Sequence, residues 1–242
     1  QPAVMLVEGG HGLGKTRVVE RFGEWAATQP EALVIAARCD VREAVPYRGL
    51  DGLVDALARA LAKGGLEVPL DEVADAARLF PVLARLLPDG EGAARGGGRE
   101  VTREPELARV QSGRALAAVL RAVAAQRKLV LIIDDLHLGD EGSARLWALL
   151  LSGAQAPRAL WVCSVADGSD DAPMVRALRE VIPGARSVWL SPLAADSAEV
   201  LAGALLPGAP PEVLARIAVA SGGHPLVLEQ LVAERGEGFR AL

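Results

Sequence analysis

Two rhythms of apolar residues divide the chain. Runs dominated by apolar residues occur at Ala3-Val4-Met5-Leu6-Val7, Ala32-Leu33-Val34-Ile35-Ala36-Ala37, Leu129-Val130-Leu131-Ile132-Ile133, Ala159-Leu160-Trp161-Val162-Cys163-Ser164-Val165 and Ser187-Val188-Trp189-Leu190. Each has strand length and predicts a strand, the first of them buried. Between them the apolar positions recur every three or four residues. Positions 50, 53, 54, 57 and 61 predict a helix over 49–62. Further helices are expected over 71–87, interrupted at Pro81, over 106–126 and over 144–151, the last opened by Asp140 as N-cap. Strands alternating with helices imply an α/β fold, a parallel five-stranded sheet sandwiched by helices. From Ala194 onward the signal is helical only, at about 194–206, 210–220 and 224–235. A small helical lid following the sheet is therefore expected. This divides the chain into a core over 1–192 and a lid over 193–242. The Gly-rich stretch 88–104, with few apolar residues, is expected to be a mobile loop within the core.

The junction after the first strand carries the chemistry. Gly9-Gly10-His11-Gly12-Leu13-Gly14-Lys15-Thr16 fits G-x-x-x-x-G-K-[ST], and Arg17-Val18-Val19 continues into a helix. Strand, glycine loop and helix together form a phosphate-binding loop, which makes the fold that of a P-loop NTPase. Glycine allows close approach of backbone to an anion without a Cβ in the way. Successive N–H groups from Gly9 to Arg17 then form a nest for phosphate oxygens, reinforced by the helix dipole. At the variable position 11 the backbone N–H of His11 matters more than its ring. Lys15 sets a positive charge against the β- and γ-phosphates, and Thr16 offers a hydroxyl to Mg²⁺.

Ligands of parallel sheets bind beyond the carboxyl ends of the strands. Two further strand ends should meet the loop there. Leu129–Ile133 runs into Asp134-Asp135, a Walker B pattern. Asp134 is expected to hold Mg²⁺ through water, and Asp135 to orient or deprotonate the attacking water. Ser164 ends the fourth strand. It could contact the γ-phosphate or the attacking water, or be a buried serine bonded to the backbone. His137 reads as a solvated turn residue. Gly222-Gly223-His224-Pro225 is a good helix start on structural grounds alone.

Composition narrows the class. The chain has 242 residues, 51% hydrophobic but only 3% aromatic, so its core must be built from Ala, Leu and Val. A net charge of −5 without a basic stretch makes direct nucleic-acid binding unexpected. Cys39 and Cys163 lie at or inside strand-like runs and read as buried free thiols of a reducing compartment. No apolar run reaches the length of a membrane span and no signal peptide is recognisable, so a cytoplasmic location is expected. The sequence opens directly on the loop's strand, which suggests a domain of a longer polypeptide.

With these residues in place, the chain resembles STAND-type signalling ATPases. More narrowly, it resembles the origin-recognition-like AAA ATPase domain of large bacterial regulators. Four segments carry the resemblance in order: Val7 through Arg17; Arg38-Cys39 with Val45-Pro46-Tyr47; Ile132 through His137 with Gly139-Asp140; and Gly222 through Leu226. The run from Arg38 to Leu61, with Ala77 to Pro81, is similar to modules fused to bacterial serine/threonine kinases. Related modules accompany LuxR-type regulators and cyclases. The resemblance implies a switch that holds ATP or ADP between sheet and lid, with Pro225 packed near the adenine or ribose. It also implies slow hydrolysis, fused effector or sensor domains as partners, and nucleotide-dependent self-association. No guanine-reading Asn-Lys-x-Asp motif is present, in keeping with adenine.

Three departures qualify the resemblance. Ser164-Val165-Ala166-Asp167 lacks the arginine that often follows the fourth strand in the family. The family's Gly-Arg-x-x-Glu box upstream of the first strand is not in this sequence. Leu138 replaces the usual tryptophan, a change expected to affect packing only. Two other readings remain: a nucleotide-binding scaffold without turnover, favoured by the missing arginine, and a nucleic-acid-linked AAA+ ATPase, disfavoured by the acidic balance.

Overall fold

The computed structural model describes residues 2–40, 47–88 and 105–239. The expected mobile stretch, from 89 to 104, and Val45-Pro46 lie outside these. Five strands, β1 (Ala3–Gly9), β2 (Ala32–Arg38), β3 (Lys128–Asp134), β4 (Ala159–Ala166) and β5 (Arg186–Trp189), form one parallel sheet in the order β2-β3-β4-β1-β5. All five predicted strands are present. The nucleotide-loop strand β1 sits between β4 and β5, so the ends of β4 and β3 lie beside it.

Among the described residues, one helix covers one face of the sheet. It is α1 (Lys15–Ala27), whose Val19 and Ala26 pack on Val7, Val130, Ile132 and Val162. Gly23 lets this helix approach closely, because a Cβ there would stand 2.9 Å from Ile132. The opposite face carries α2 (Arg48–Ala62), α3 (Leu70–Ala77), a 3₁₀ turn (Pro81–Leu86), α4 (Pro105–Gln126), α5 (Glu141–Leu151) and α6 (Pro173–Val181). These close the main core over Leu6, Ile35, Leu131, Ile133 and Trp161. Trp161 of β4 meets Trp147 of α5 edge to face, with centroids 4.6 Å apart, and both are fully buried. With so few aromatics in the chain, this pair supplies much of the core's bulk near its centre.

Two elements differ from expectation. The helix expected to run to Pro81 ends at Ala77, because Phe80 is extended before the proline (φ −122°, ψ 86°) and the chain resumes as a 3₁₀ turn. Helix α6 was not expected. Its signal is short: Pro173 at N1, then Met174, Val175 and Leu178, all fully buried. Helix α5 begins as predicted, with the Asp140 carboxylate accepting from the N–H and hydroxyl of Ser143. Burial pushes the Asp140 carboxyl upward, but these bonds and the Gly49 N–H outweigh it and hold it below its ordinary value.

The chain then crosses to a separate cluster of three helices, α7 (Ala195–Leu205), α8 (Pro211–Ser221) and α9 (Pro225–Phe239). Ala198, Ala202, Ile217, Ala218 and Leu228 form its own small core. The crossing is tied at both ends. Leu190 N–H donates to Glu8 O (2.8 Å), and Leu193 N–H donates to Gly223 O (2.7 Å). Both flanks are tight. A Cβ on Gly9 would stand 2.9 Å from Leu190 O, and one on Gly223 would overlap Leu193 O outright.

Candidate nucleotide site

The loop between β1 and α1 turns on two left-handed glycines, Gly12 (φ 77°) and Gly14 (φ 90°), and Gly14 caps the helix. Among the described residues, no N–H from His11 to Arg17 donates to a backbone carbonyl outside a helix or strand. These donors at a helix N-terminus are what a phosphate requires. Lys15 is buried (8% exposed), and its ammonium donates to Gly9 O (3.0 Å) and Gly10 O (2.9 Å). The charge is thus held inside the loop. Leu13 is half-buried over Gly9 and Gly10, while His11 and Arg17 are exposed, Arg17 pairing with Glu20 (3.2 Å).

A cleft of about 630 Å³ opens at this loop. Its walls include His11, Gly12, Gly14 through Arg17, Arg38, Asp135, His137 and Pro225. Sheet, loop and lid therefore share one cavity. Gly12 joins loop to lid directly. Its carbonyl accepts from Leu226 N–H (3.2 Å), and a Cβ on it would meet His224 Cε1 at 2.7 Å and Leu226 Cβ at 2.8 Å. Gly12→Ala is accordingly expected to destabilise the protein by about 2–4 kcal/mol, adding overpacking to the left-handed strain. Gly14→Ala carries the strain alone, since nothing lies within 4 Å of a Cβ there. It should cost about 1–2 kcal/mol. Urea unfolding of both variants checks this; equal losses would mean that the lid does not bear on the loop.

The Walker B pair is organised by two neighbouring strands. Asp134 is buried. Its Oδ1 accepts from the Ser164 hydroxyl, and its Oδ2 has no hydrogen-bond partner. This buried oxygen, without a hydrogen bond and 3.7 Å from Arg38 Nε, suits a cation or a cation's water. Thr16 and Asp134 line one groove beside α1, as a shared Mg²⁺ would require. No group of three or more His, Cys, Asp or Glu converges among the described residues, so a cation would depend on these two and on phosphate oxygens. Asp135 has left-handed backbone (φ 54°), which turns its carboxylate toward Arg38 at the end of β2. Arg38 Nε and Nη2 both donate to Asp135 Oδ2, at 2.9 and 2.7 Å.

Ser164 does not line the cleft. It is fully buried, and besides bonding Asp134 its hydroxyl accepts from Asp135 N–H (2.7 Å). Of the two readings of Ser164, its contacts are those of a buried serine bonded to the backbone, and they also brace the two aspartates. His137 is half-buried and lines the cleft, where a solvated residue was expected. Burial lowers its pKa, against the opposing field of Asp135. Arg38 had been marked only by resemblance; its pairing with Asp135, 97 positions away, leaves no local signal. Both cysteines are buried and neither is in a disulfide; the Cys39 thiol donates to Gly49 O (3.5 Å), and burial pushes the Cys163 thiol up. No helix among the described residues is long and apolar enough to cross a membrane.

The AAA ATPase domain model matches residues 1–162, the loop and both aspartates included. The chain belongs to the AAA ATPase domain family. This AAA domain is thereby a nucleotide-binding ATPase module. Its fold is also that of a solved protein: Cdc6p from Pyrobaculum aerophilum superposes over 98% of this chain, with a TM-score of 0.56 and 15% identity. The AAA domain spans 57% of that protein's length. No curated protein matches the chain.

Proposed function

We propose that this AAA domain is a STAND-type nucleotide-held switch. It binds ATP or ADP with Mg²⁺, hydrolyses ATP slowly, and reports the bound state to effector or sensor domains of a larger cytoplasmic bacterial signalling or transcription-regulating protein. The observation that carries this reading is the engagement of Asp135 by Arg38. A carboxylate with a guanidinium on one oxygen is a poor base until that contact opens, so turnover waits on a rearrangement. The lid contact at Gly12 supplies the second half, since the loop that would hold the phosphates is bonded to Leu226 and the lid lines the same cleft. Mg²⁺, when bound, would neutralise charge between the β- and γ-phosphates, with Thr16 and Asp134 holding it. Nucleotide-dependent self-association and effector release belong to the same proposal.

A scaffold that binds nucleotide without turnover is the second reading. It is favoured by the sequence after β4, where Val165, Ala166 and Asp167 provide no cation for the γ-phosphate. Release of nucleotide from freshly purified, denatured protein tests the common premise. Stoichiometric ADP or ATP is expected, and its identity names the resting state. Protein that is empty and gains no thermal stability with ATP at a hundred times any fitted Kd, where about 2.7 kcal/mol is expected, would overturn both readings.

A further inference from the structure

We propose that the imidazole of His137 is the donor to the terminal phosphate of ATP in this cleft, in place of a cation after β4. The inference rests on the nucleotide reading of the site and names the group that tells ATP from ADP.

His137 sits in the short 3₁₀ turn Leu136–Leu138 that follows Asp135, and the ring is fixed from behind. Its Nδ1 accepts from Ala166 N–H (3.4 Å), the last residue of β4. A neutral imidazole that accepts at Nδ1 carries its proton on Nε2, so the remaining nitrogen is a donor. The residue lines the cleft together with Lys15, Thr16 and Asp135. That sets the ring among the residues assigned to the phosphates and their cation.

Competition for the role is limited. Arg38, the other donor on that side, is engaged by Asp135 through both Nε and Nη2. Ser164 is enclosed between the aspartates. Lys15 is held by the loop carbonyls. The β4 strand therefore acts on the nucleotide through His137: its terminal N–H sets the tautomer, and the turn after β3 carries the ring. An ADP-loaded site lacks the acceptor for Nε2, which gives the two nucleotides different partners in an otherwise common cleft.

The test compares equilibrium affinities for MgATP and MgADP, by titration calorimetry, in the parent, His137→Ala and His137→Gln. Glutamine places an amide N–H near the position of Nε2. His137→Ala is expected to weaken ATP by about tenfold or more and to leave ADP within about twofold. His137→Gln should restore most of the ATP preference. Loss of affinity for both nucleotides alike, or an unchanged ATP/ADP ratio, overturns the proposal while leaving the nucleotide site intact. A parent that binds neither nucleotide, or Lys15→Ala that binds both as the parent does, removes the site itself and this inference with it.

Discussion

Lys15→Ala is expected to abolish nucleotide binding. The ammonium is buried inside the loop, and its two hydrogen bonds now go to Gly9 O and Gly10 O. A phosphate entering the loop takes over a charge that is already dehydrated and positioned, so little of the interaction is lost to ordering. Charge-assisted bonds are worth about 1.5–3 kcal/mol each, and two of them amount to roughly 10²- to 10⁴-fold in affinity. Alanine also leaves two loop carbonyls without their donor. Titration of ATP and ADP into the variant checks the result, with circular dichroism confirming that it folds. Retained affinity would mean that the phosphates lie elsewhere.

Asp135→Asn is expected to separate binding from turnover. The amide keeps the size of the side chain and can still accept from Arg38, but it cannot take a proton from water. General-base contributions are typically 10²–10⁴-fold, so phosphate release at saturating MgATP should fall by about a hundredfold or more. ATP affinity should stay within a few-fold, because Asp135 neither lies in the loop nor supplies the carboxylate oxygen assigned to the cation. That oxygen belongs to Asp134. Phosphate release equal to the parent's would remove Asp135 from catalysis and leave the scaffold reading in possession.

Much of this architecture was written locally. Runs of Val, Leu and Ile of strand length between helical stretches announced the strands of a parallel sheet, although β2 and β5 prove to be its edges. Gly12, Gly14 and Lys15 announced the loop because the geometry of a phosphate nest tolerates few other residues. What stayed hidden depends on neighbours remote in the sequence. The pairing of Arg38 with Asp135 follows from the register of β2 against β3, which sets Arg38 opposite Asp134. Ser164 could be placed at the end of β4, but only its position beside β3 determines that it faces the aspartates and not the cleft. Helix α6 is too short for periodicity to separate it from loop, with three buried anchors among polar residues. The ring of His137 could not be oriented from sequence, since its partner is a backbone N–H on another strand.

The tethers at Leu190 and Leu193 leave the crossing between sheet and lid without slack. With Leu226 N–H also bonded to Gly12 O, the lid is held to the core both at the crossing and at the phosphate loop. The two attachments therefore cannot shift independently: a displacement of Gly12 is felt in the first turn of α9.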